Sequence, residues 1–389
     1  MRIAIVSDYF LDYVGGAQSS IHEQKASLEE AGHGVFLIAH TRKNSGLVDL
    51  AVRPAFTIPG VQLAVSYNRA PLIGLLTDFF ETHQIDVVHL QTEFGLAHAA
   101  IAAARLQGIP VVHTVHTFYW QSAGAGPTVV APLMRRMLQS ATKARFAVQP
   151  ITGRPSDDLL RTLTAETAKL VDLVISPSEH QGADLAAAGV ETPIVIVPNP
   201  IARSPRPAQL LADDAPPRFL WVARCEPEKR PLIFAEAVFS ALERTTFEVD
   251  FVGDGSQLDE LRKVTAGVIG IRVHGNLGHD EVLQLIDDAS IVVLTSNGFD
   301  NQPMTIAESV SRYRGVLFCD PKLREGLGAS GHLSADPSAA ALGDAIVELV
   351  TTPGALQALS RGAQEDAVIF SAATYVERVM AAYAQAARA

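Results

Sequence analysis

Ile291-Val292-Val293-Leu294-Thr295-Ser296-Asn297-Gly298-Phe299-Asp300-Asn301-Gln302-Pro303-Met304-Thr305-Ile306-Ala307-Glu308 reads as one strand, a polar loop and the start of a helix. Ile291 to Thr295 is apolar without alternation, as a strand covered on both faces has to be, and the run stops at a loop containing glycine. Pro303 suits a first helical position, where its missing N–H costs nothing, so the N–H groups of Met304 and Thr305 stay free for oxygen-rich ligands. Asp300 precedes this helix and Glu308 falls in its second turn. Carboxylates so placed accept hydrogen bonds from hydroxyl-bearing ligands, although a helix cap and a solvated helix residue account for them as well.

The same alternation extends in both directions. Towards the amino terminus, strands are expected at Arg2 to Ser7, Val35 to Ala39, Asp86 to Leu90, Pro110 to Val115, Leu173 to Ser176 and Pro193 to Val197. Segments of helical period lie between them, among them Ala17 to Ala31, Leu96 to Leu106 and Glu179 to Ala188. A Pro/Ala/Asp-rich stretch from Ser204 to Pro217 reads as a linker. Beyond it, Phe219 to Ala223, Val249 to Gly253, Ile271 to His274, Ile291 to Thr295 and Val316 to Cys319 form a second set of strands. The fold class is therefore α/β, with two doubly wound Rossmann-like domains facing across a cleft. They are expected at 1–198 and 199–371, with a final helix at 372–389 packing back on the first. A chain of 389 residues suits two such cores.

In doubly wound sheets ligands bind beyond the carboxyl ends of the strands, which directs attention to the loops there. After the first strand, Gly15-Gly16 opens a helix; the pair lets backbone approach an anion closely, or makes a tight turn. After Phe219 to Ala223 come Arg224 and Lys229, cations just ahead of a helix that starts at Pro231. Such cations oppose the helix dipole unless an anion, such as a diphosphate, sits there or Glu226 and Glu228 offset them. His116 ends the strand at Pro110 to Val115 and can donate to a ligand hydroxyl or serve as a core histidine; His113 has the opposite strand parity.

Neither D-x-D, H-E-x-x-H nor C-x-x-C occurs, so no metal and no cofactor are expected, and Walker A is absent too. The formal net charge of −11 disfavours nucleic acid as a partner. Arg135, Arg136, Lys143, Arg145 and Arg154 nevertheless cluster without an acid, accompanied by Leu133, Met134, Met137, Leu138 and Phe146. Such a basic amphipathic segment suits an anionic membrane surface or a solvated helix face. Two distant cysteines, a short initial apolar run and the lack of any window of about 18 apolar residues point to a cytoplasmic protein, peripheral at most.

Together these motifs resemble glycosyltransferase family 4 over nearly the whole chain. The resemblance runs through Val14-Gly15-Gly16-Ala17, Glu30-Ala31-Gly32-His33-Gly34-Val35, Asp86-Val87-Val88-His89, Arg224 with Lys229, Val252-Gly253-Asp254-Gly255, and Asp300 with Glu308. It implies the GT-B fold and retaining transfer of a hexosyl group from a UDP- or GDP-linked nucleotide-sugar. Arg224 and Lys229 would hold the diphosphate, and Glu308 the ribose. Asp300 with Gln302, Pro303, Met304 and Thr305 would hold the sugar, His116 would touch it, and Gly15, Gly16 and Gly253 would lie against the donor. The family usually has Glu where this chain has Asp300, which leaves the sugar open.

Thr92-Glu93-Phe94-Gly95 and His116-Thr117-Phe118 resemble members that glycosylate diacylglycerol, so a lipid or glycan acceptor at the inner membrane face is expected. A small soluble acceptor, a nucleotide-sugar epimerase and a non-catalytic two-domain solute-binding protein are the alternatives.

Overall fold

In a parallel strand buried on both faces, residues one apart still point to opposite sides, so two layers of helix are needed to cover it. The first strand shows this: Ile3 and Ile5 belong to one buried cluster, Ala4 and Val6 to another. A computed structural model describes residues 1–12, 16–41, 46–58, 63–119, 126–201 and 206–389 of the chain. They form two units, Met1–Ala202 with Ala372–Ala389, and Arg203–Ser371.

The first unit contains β1 (Arg2–Phe10), α1 (Gly16–Glu30), β2 (Gly34–His40), β3 (Leu50–Ala51), β4 (Phe56–Ile58), β5 (Leu63–Val65), α2 (Ala70–Thr82), β6 (Val87–Leu90), α3 (Gly95–Gln107), β7 (Val111–Thr114), α4 (Gly126–Thr142), α5 (Pro155–Ala168), β8 (Leu173–Ser176), α6 (Glu179–Ala187) and β9 (Ile194–Ile196). The sheet order is β3-β2-β1-β6-β7-β8-β9, all parallel, with the antiparallel pair β4 and β5 attached beside β1. Chain order reverses between β1 and β6, the switch point at which a doubly wound sheet opens a crevice. The short strands β3, β4 and β5 were not expected from the sequence, and β1 runs on to Phe10.

The second unit contains β10 (Arg218–Val222), α7 (Pro231–Leu242), β11 (Glu248–Val252), α8 (Leu258–Thr265), β12 (Ile271–Gly275), α9 (His279–Asp288), β13 (Ile291–Leu294), α10 (Met304–Ser311), β14 (Gly315–Phe318), β15 (Gly331–Leu333), α11 (Ala339–Thr351) and α12 (Ala355–Asp366). Its strands are parallel in the order β12-β11-β10-β13-β14-β15, so its switch point lies between β10 and β13. The loops that follow those two strands carry Arg224 and Lys229 on one side and Asp300 on the other. Both units are thus doubly wound α/β sheets.

The last helix, α13 (Ala372–Ala386), belongs to the first unit. It buries Tyr375, Val379, Ala382, Tyr383 and Ala386, a stripe at helical spacing, against Ile3, Ile5, Ile21 and Leu28.

The stretch read as a linker is strapped to the second unit. Arg314, 5 % exposed, donates to the carbonyls of Gln209 (2.7 Å), Asp287 (2.6 Å) and Ala289 (2.7 Å), while Arg312 holds Asp287 by two bonds and donates to the carbonyl of Arg206. A planar fork with five donors spread over three nitrogens can reach carbonyls on several sides at once; an ammonium has three donors on one atom and reaches fewer. Arg314→Met strands those acceptors, so it is expected to lower the unfolding free energy of this unit by about 3 kcal/mol, read in a urea titration. Arg314→Lys is expected to recover less than half of that loss.

Candidate functional site

Lys229 ends a 3-10 turn, Pro227–Lys229, that follows β10, and the next residue, Arg230, takes a left-handed conformation (φ 58°, ψ 45°) before Pro231 opens α7. A non-glycine residue is held there only if its surroundings fix it. Arg230 donates to the carbonyls of Thr295 (3.2 Å) and Pro337 (2.6 Å). Thr295, at the end of β13, donates from Oγ1 to the carbonyl of Lys229 (2.6 Å) and accepts from Trp221 Nε1 (2.9 Å). The two switch-point loops are thereby stitched together, and the Lys229 side chain is aimed at Asp300.

Lys229 Nζ pairs with Asp300 Oδ1, both side chains being largely buried at 14 % and 11 % exposure. Nζ also lies 5.1 Å from the centre of the Phe299 ring. Asp300 Oδ2 is buried and has no hydrogen-bond partner among the described residues. Burying two charges is tolerable when they are paired, yet a carboxylate oxygen without a donor is a deficit that a ligand hydroxyl would remove. Arg224 is different: it is exposed, and Nη2 meets Glu228 Oε1 at 2.9 Å.

Glu226 accepts from the backbone N (3.2 Å) and Oγ (2.5 Å) of Ser256, fixing the loop after β11. Gly253 starts that loop, with φ 140°, where its backbone passes against Ala223. Pro303 caps α10 rather than opening it (φ −63°, ψ 127°), a one-residue correction to the sequence expectation. The consequence expected for the N–H groups holds: those of Met304 and Thr305 lie ahead of the first bond, which Ile306 donates to the Pro303 carbonyl (3.0 Å). Gln302 is buried beside them, and Glu308 Oε1, on a side chain 13 % exposed, lies 3.8 Å from His279 Nδ1.

In the first unit, Gly15 lies outside the described residues, whereas Gly16 opens α1. A Cβ built on Gly16 would meet no described atom within 4 Å. His116 does not end a strand: β7 stops at Thr114, so strand parity does not extend to His116. Burial holds it neutral, well below the ordinary histidine range at about 4. His116 Nε2 meets Gln91 Oε1 at 2.6 Å. His113, fully buried and pushed to about 3 by desolvation, belongs to the core.

Arg135, Arg136, Lys143 and Arg145 are exposed. Their apolar companions do not form an outward face, because Met134, Met137, Leu138 and Phe146 pack with Phe94, Leu159 and Leu163. Of the expected stripe, Leu133 stays out, 70 % exposed. Arg135 also donates to the Phe146 carbonyl (2.9 Å). Among the described residues this surface is basic, and the core takes Met134, Met137 and Leu138 of the helix.

The second unit thus gathers Arg224, Lys229, Gly253, Asp300, Gln302 and the start of α10 around its switch point, with Glu308 one turn further along α10. Sequence reasoning missed Thr295, Arg230 and Trp221, which aim Lys229. Among the described residues no three His, Cys, Asp or Glu side chains gather as a metal ion would need. No single helix among them is long and apolar enough to cross a membrane.

A family model described as Glycosyltransferase Family 4 matches residues 14–204, and one described as Glycosyl transferases group 1 matches residues 216–352. An alpha-monoglucosyldiacylglycerol synthase of Streptococcus pneumoniae is 32% identical over 126 residues, 31% of this chain and 27% of that protein. The chain therefore spans only about a quarter of that relative. A GDP-mannose-dependent alpha-mannosyltransferase of Mycolicibacterium smegmatis is 27% identical over 276 residues, 68% of this chain and 66% of that protein. The crystal structure of Anabaena HepE in complex with UDP matches with a TM-score of 0.66 at 15% identity, covering 98% of this chain and 99% of that one, a likeness of fold.

Proposed function

This chain belongs to glycosyltransferase family 4, with the GT-B fold, and from that premise we propose that it transfers a hexosyl group from a UDP- or GDP-linked sugar to an acceptor hydroxyl with retention of configuration. The observation that carries this reading is the buried Lys229–Asp300 pair with Asp300 Oδ2 unpartnered, set at the switch point beside the free N–H groups of α10. A nucleotide-sugar supplies what each part lacks. Its diphosphate takes Arg224, Lys229 and the N–H groups of Met304 and Thr305, and a sugar hydroxyl donates to Asp300 Oδ2. Glu308 takes the ribose hydroxyls.

The bond from the anomeric carbon to the departing diphosphate oxygen breaks while the acceptor oxygen bonds to that carbon on the same face. The acceptor proton passes to the departing phosphate oxygen, whose growing charge Arg224 and Lys229 offset, so that no metal is required.

A lipid or glycan acceptor at an anionic cytoplasmic membrane face is the reading that the name of the Streptococcus relative supports. The exposed cations Arg136, Lys143 and Arg145 support it too, each attracting such a surface by roughly 1 kcal/mol. Because Met134, Met137 and Leu138 of α4 are packed inward, this attachment is electrostatic and reversible.

The test is thermal stabilisation and slow hydrolysis against a panel of UDP-, GDP- and ADP-sugars, with and without EDTA, in the native chain and in Arg224→Ala. One donor is expected to stabilise the native chain equally in both buffers and to lose that effect in the variant. No response to any donor from folded protein would overturn the transferase reading, and a response abolished by EDTA would overturn metal independence.

A further inference from the structure

His116 sits at one end of a buried chain of hydrogen bonds that reaches the last helix. Its Nε2 faces Gln91 Oε1 (2.6 Å), Gln91 Nε2 donates to Gln24 Oε1 (3.1 Å), and that same oxygen accepts from the hydroxyl of Tyr375 on α13 (3.0 Å). Gln24 Nε2 donates to Ser20 Oγ (2.9 Å), which donates to Asn199 Oδ1 (2.6 Å). Gln24, Gln91 and Ser20 are each 1 % exposed, Tyr375 3 % and Asn199 5 %. Water therefore does not substitute for a missing partner, and each amide must present its oxygen and its nitrogen to the correct neighbours.

The geometry points to Gln91, Gln24 and Tyr375 as positioning residues that fix His116 in its Nε2–H tautomer and so leave Nδ1 as an acceptor for a ligand hydroxyl. With Gln91 Nε2 and the Tyr375 hydroxyl both given to Gln24 Oε1, Gln91 turns its own oxygen to His116, an arrangement that a protonated Nε2 completes. A neutral ring with one nitrogen protonated has its lone pair on the other. This reverses the role expected from the sequence, in which His116 donates. Among the described residues Nδ1 has no hydrogen-bond partner.

A second tie from α13 runs alongside: Tyr383 OH meets His89 Nδ1 (2.8 Å), and His89 Nε2 meets Thr114 Oγ1 (2.7 Å), the residue that ends β7. The terminal helix thus bonds to the polar groups beneath the His116 loop at two places, which gives it a role in setting the ligand-facing edge of the first sheet.

The inference rests on the transferase reading for the identity of the hydroxyl, but not for the tautomer, so the two are tested separately. Histidine-selective 15N labelling of the full chain, with the His116 signals assigned by loss in His116→Gln, reads which nitrogen is protonated. Near neutral pH the expected pattern is a neutral ring protonated at Nε2. Gln91→Leu and Tyr375→Phe are expected to mix the tautomers while the chain stays folded, and to raise by about five- to tenfold the KM for the ligand whose hydroxyl Nδ1 accepts, the effect of one misdirected hydrogen bond, with a smaller change in kcat.

A ring protonated at Nδ1 in the native chain, or a tautomer untouched in both Gln91→Leu and Tyr375→Phe, would overturn the relay. If the tautomer results stand but no nucleotide-sugar shifts the His116 signals, the relay survives and the donor assignment fails.

Discussion

Lys229→Ala is expected to lower turnover by about 10²- to 10³-fold, the scale of removing one preorganised charge from a transition state. The side chain is not a surface lysine that happens to lie near a ligand. It is 14 % exposed, held against Asp300 and the Phe299 ring, and its backbone carbonyl is fixed by Thr295 Oγ1. The entropy of ordering it is thus met before the donor arrives. Loss of stability alone would also reduce activity, because Lys229→Ala leaves Asp300 as a buried charge without its partner, which costs about 3 to 5 kcal/mol when nothing else adjusts.

The two effects separate in Lys229→Met combined with Asp300→Leu, an apolar pair in place of the buried ions. Stability is expected to return to within about 1 kcal/mol of the native chain, since such replacements are near neutral, whereas turnover stays at the floor. Steady-state kinetics beside a urea titration decides it. Native turnover in Lys229→Ala would remove Lys229 from the mechanism.

The parts of the fold visible in the sequence are those with a burial pattern of their own. Leu173 to Ser176 was delimited as found, and the other core strands fell within a few residues, because a strand covered on both faces is an apolar run whatever surrounds it. The edge strands Leu50–Ala51 and Gly331–Leu333 and the hairpin Phe56–Ile58 with Leu63–Val65 are too short for a period to register.

The same division applies at the site. Arg224, Lys229, Asp300 and α10 were legible because they follow core strands. The left-handed Arg230 and the stitching Thr295 were not, since each is defined by a partner distant in the chain. Met134, Met137 and Leu138 accompany the basic cluster in the sequence, but that does not say whether such side chains meet a membrane or, as found, Phe94, Leu159 and Leu163. Nor does a histidine just beyond a strand disclose which nitrogen it offers; that depends on Gln91, Gln24 and Tyr375, scattered over nearly the whole chain.

Gly253→Ala is expected to destabilise the second unit by about 4 kcal/mol, far more than a typical point substitution. Gly253 follows β11 at φ 140°, which L side chains rarely adopt, and a Cβ there would stand 1.8 Å from the carbonyl oxygen of Ala223. Both neighbours of that contact are backbone. Ala223 N donates to the Val252 carbonyl (3.2 Å) and Gly253 N to the Gly275 carbonyl (2.8 Å), so neither side can yield without breaking the ends of the sheet. Backbone strain of about 1 to 3 kcal/mol adds to the clash. The residue pushed aside is the one before Arg224, so whatever fraction folds should also bind donor poorly.

The measurement is urea unfolding in a Trp120→Phe background, where Trp221 in β10 is the one tryptophan left of two in the chain and reports from the strand under strain. Gly74→Ala is the control: it lies in α2 of the first unit, where a Cβ meets nothing within 4 Å, and should leave the Trp221 transition unchanged. A Gly253→Ala chain as stable as that control would mean that β10 and β11 part more easily than their hydrogen bonds imply, and that Arg224 and Lys229 are not held at a rigid sheet edge.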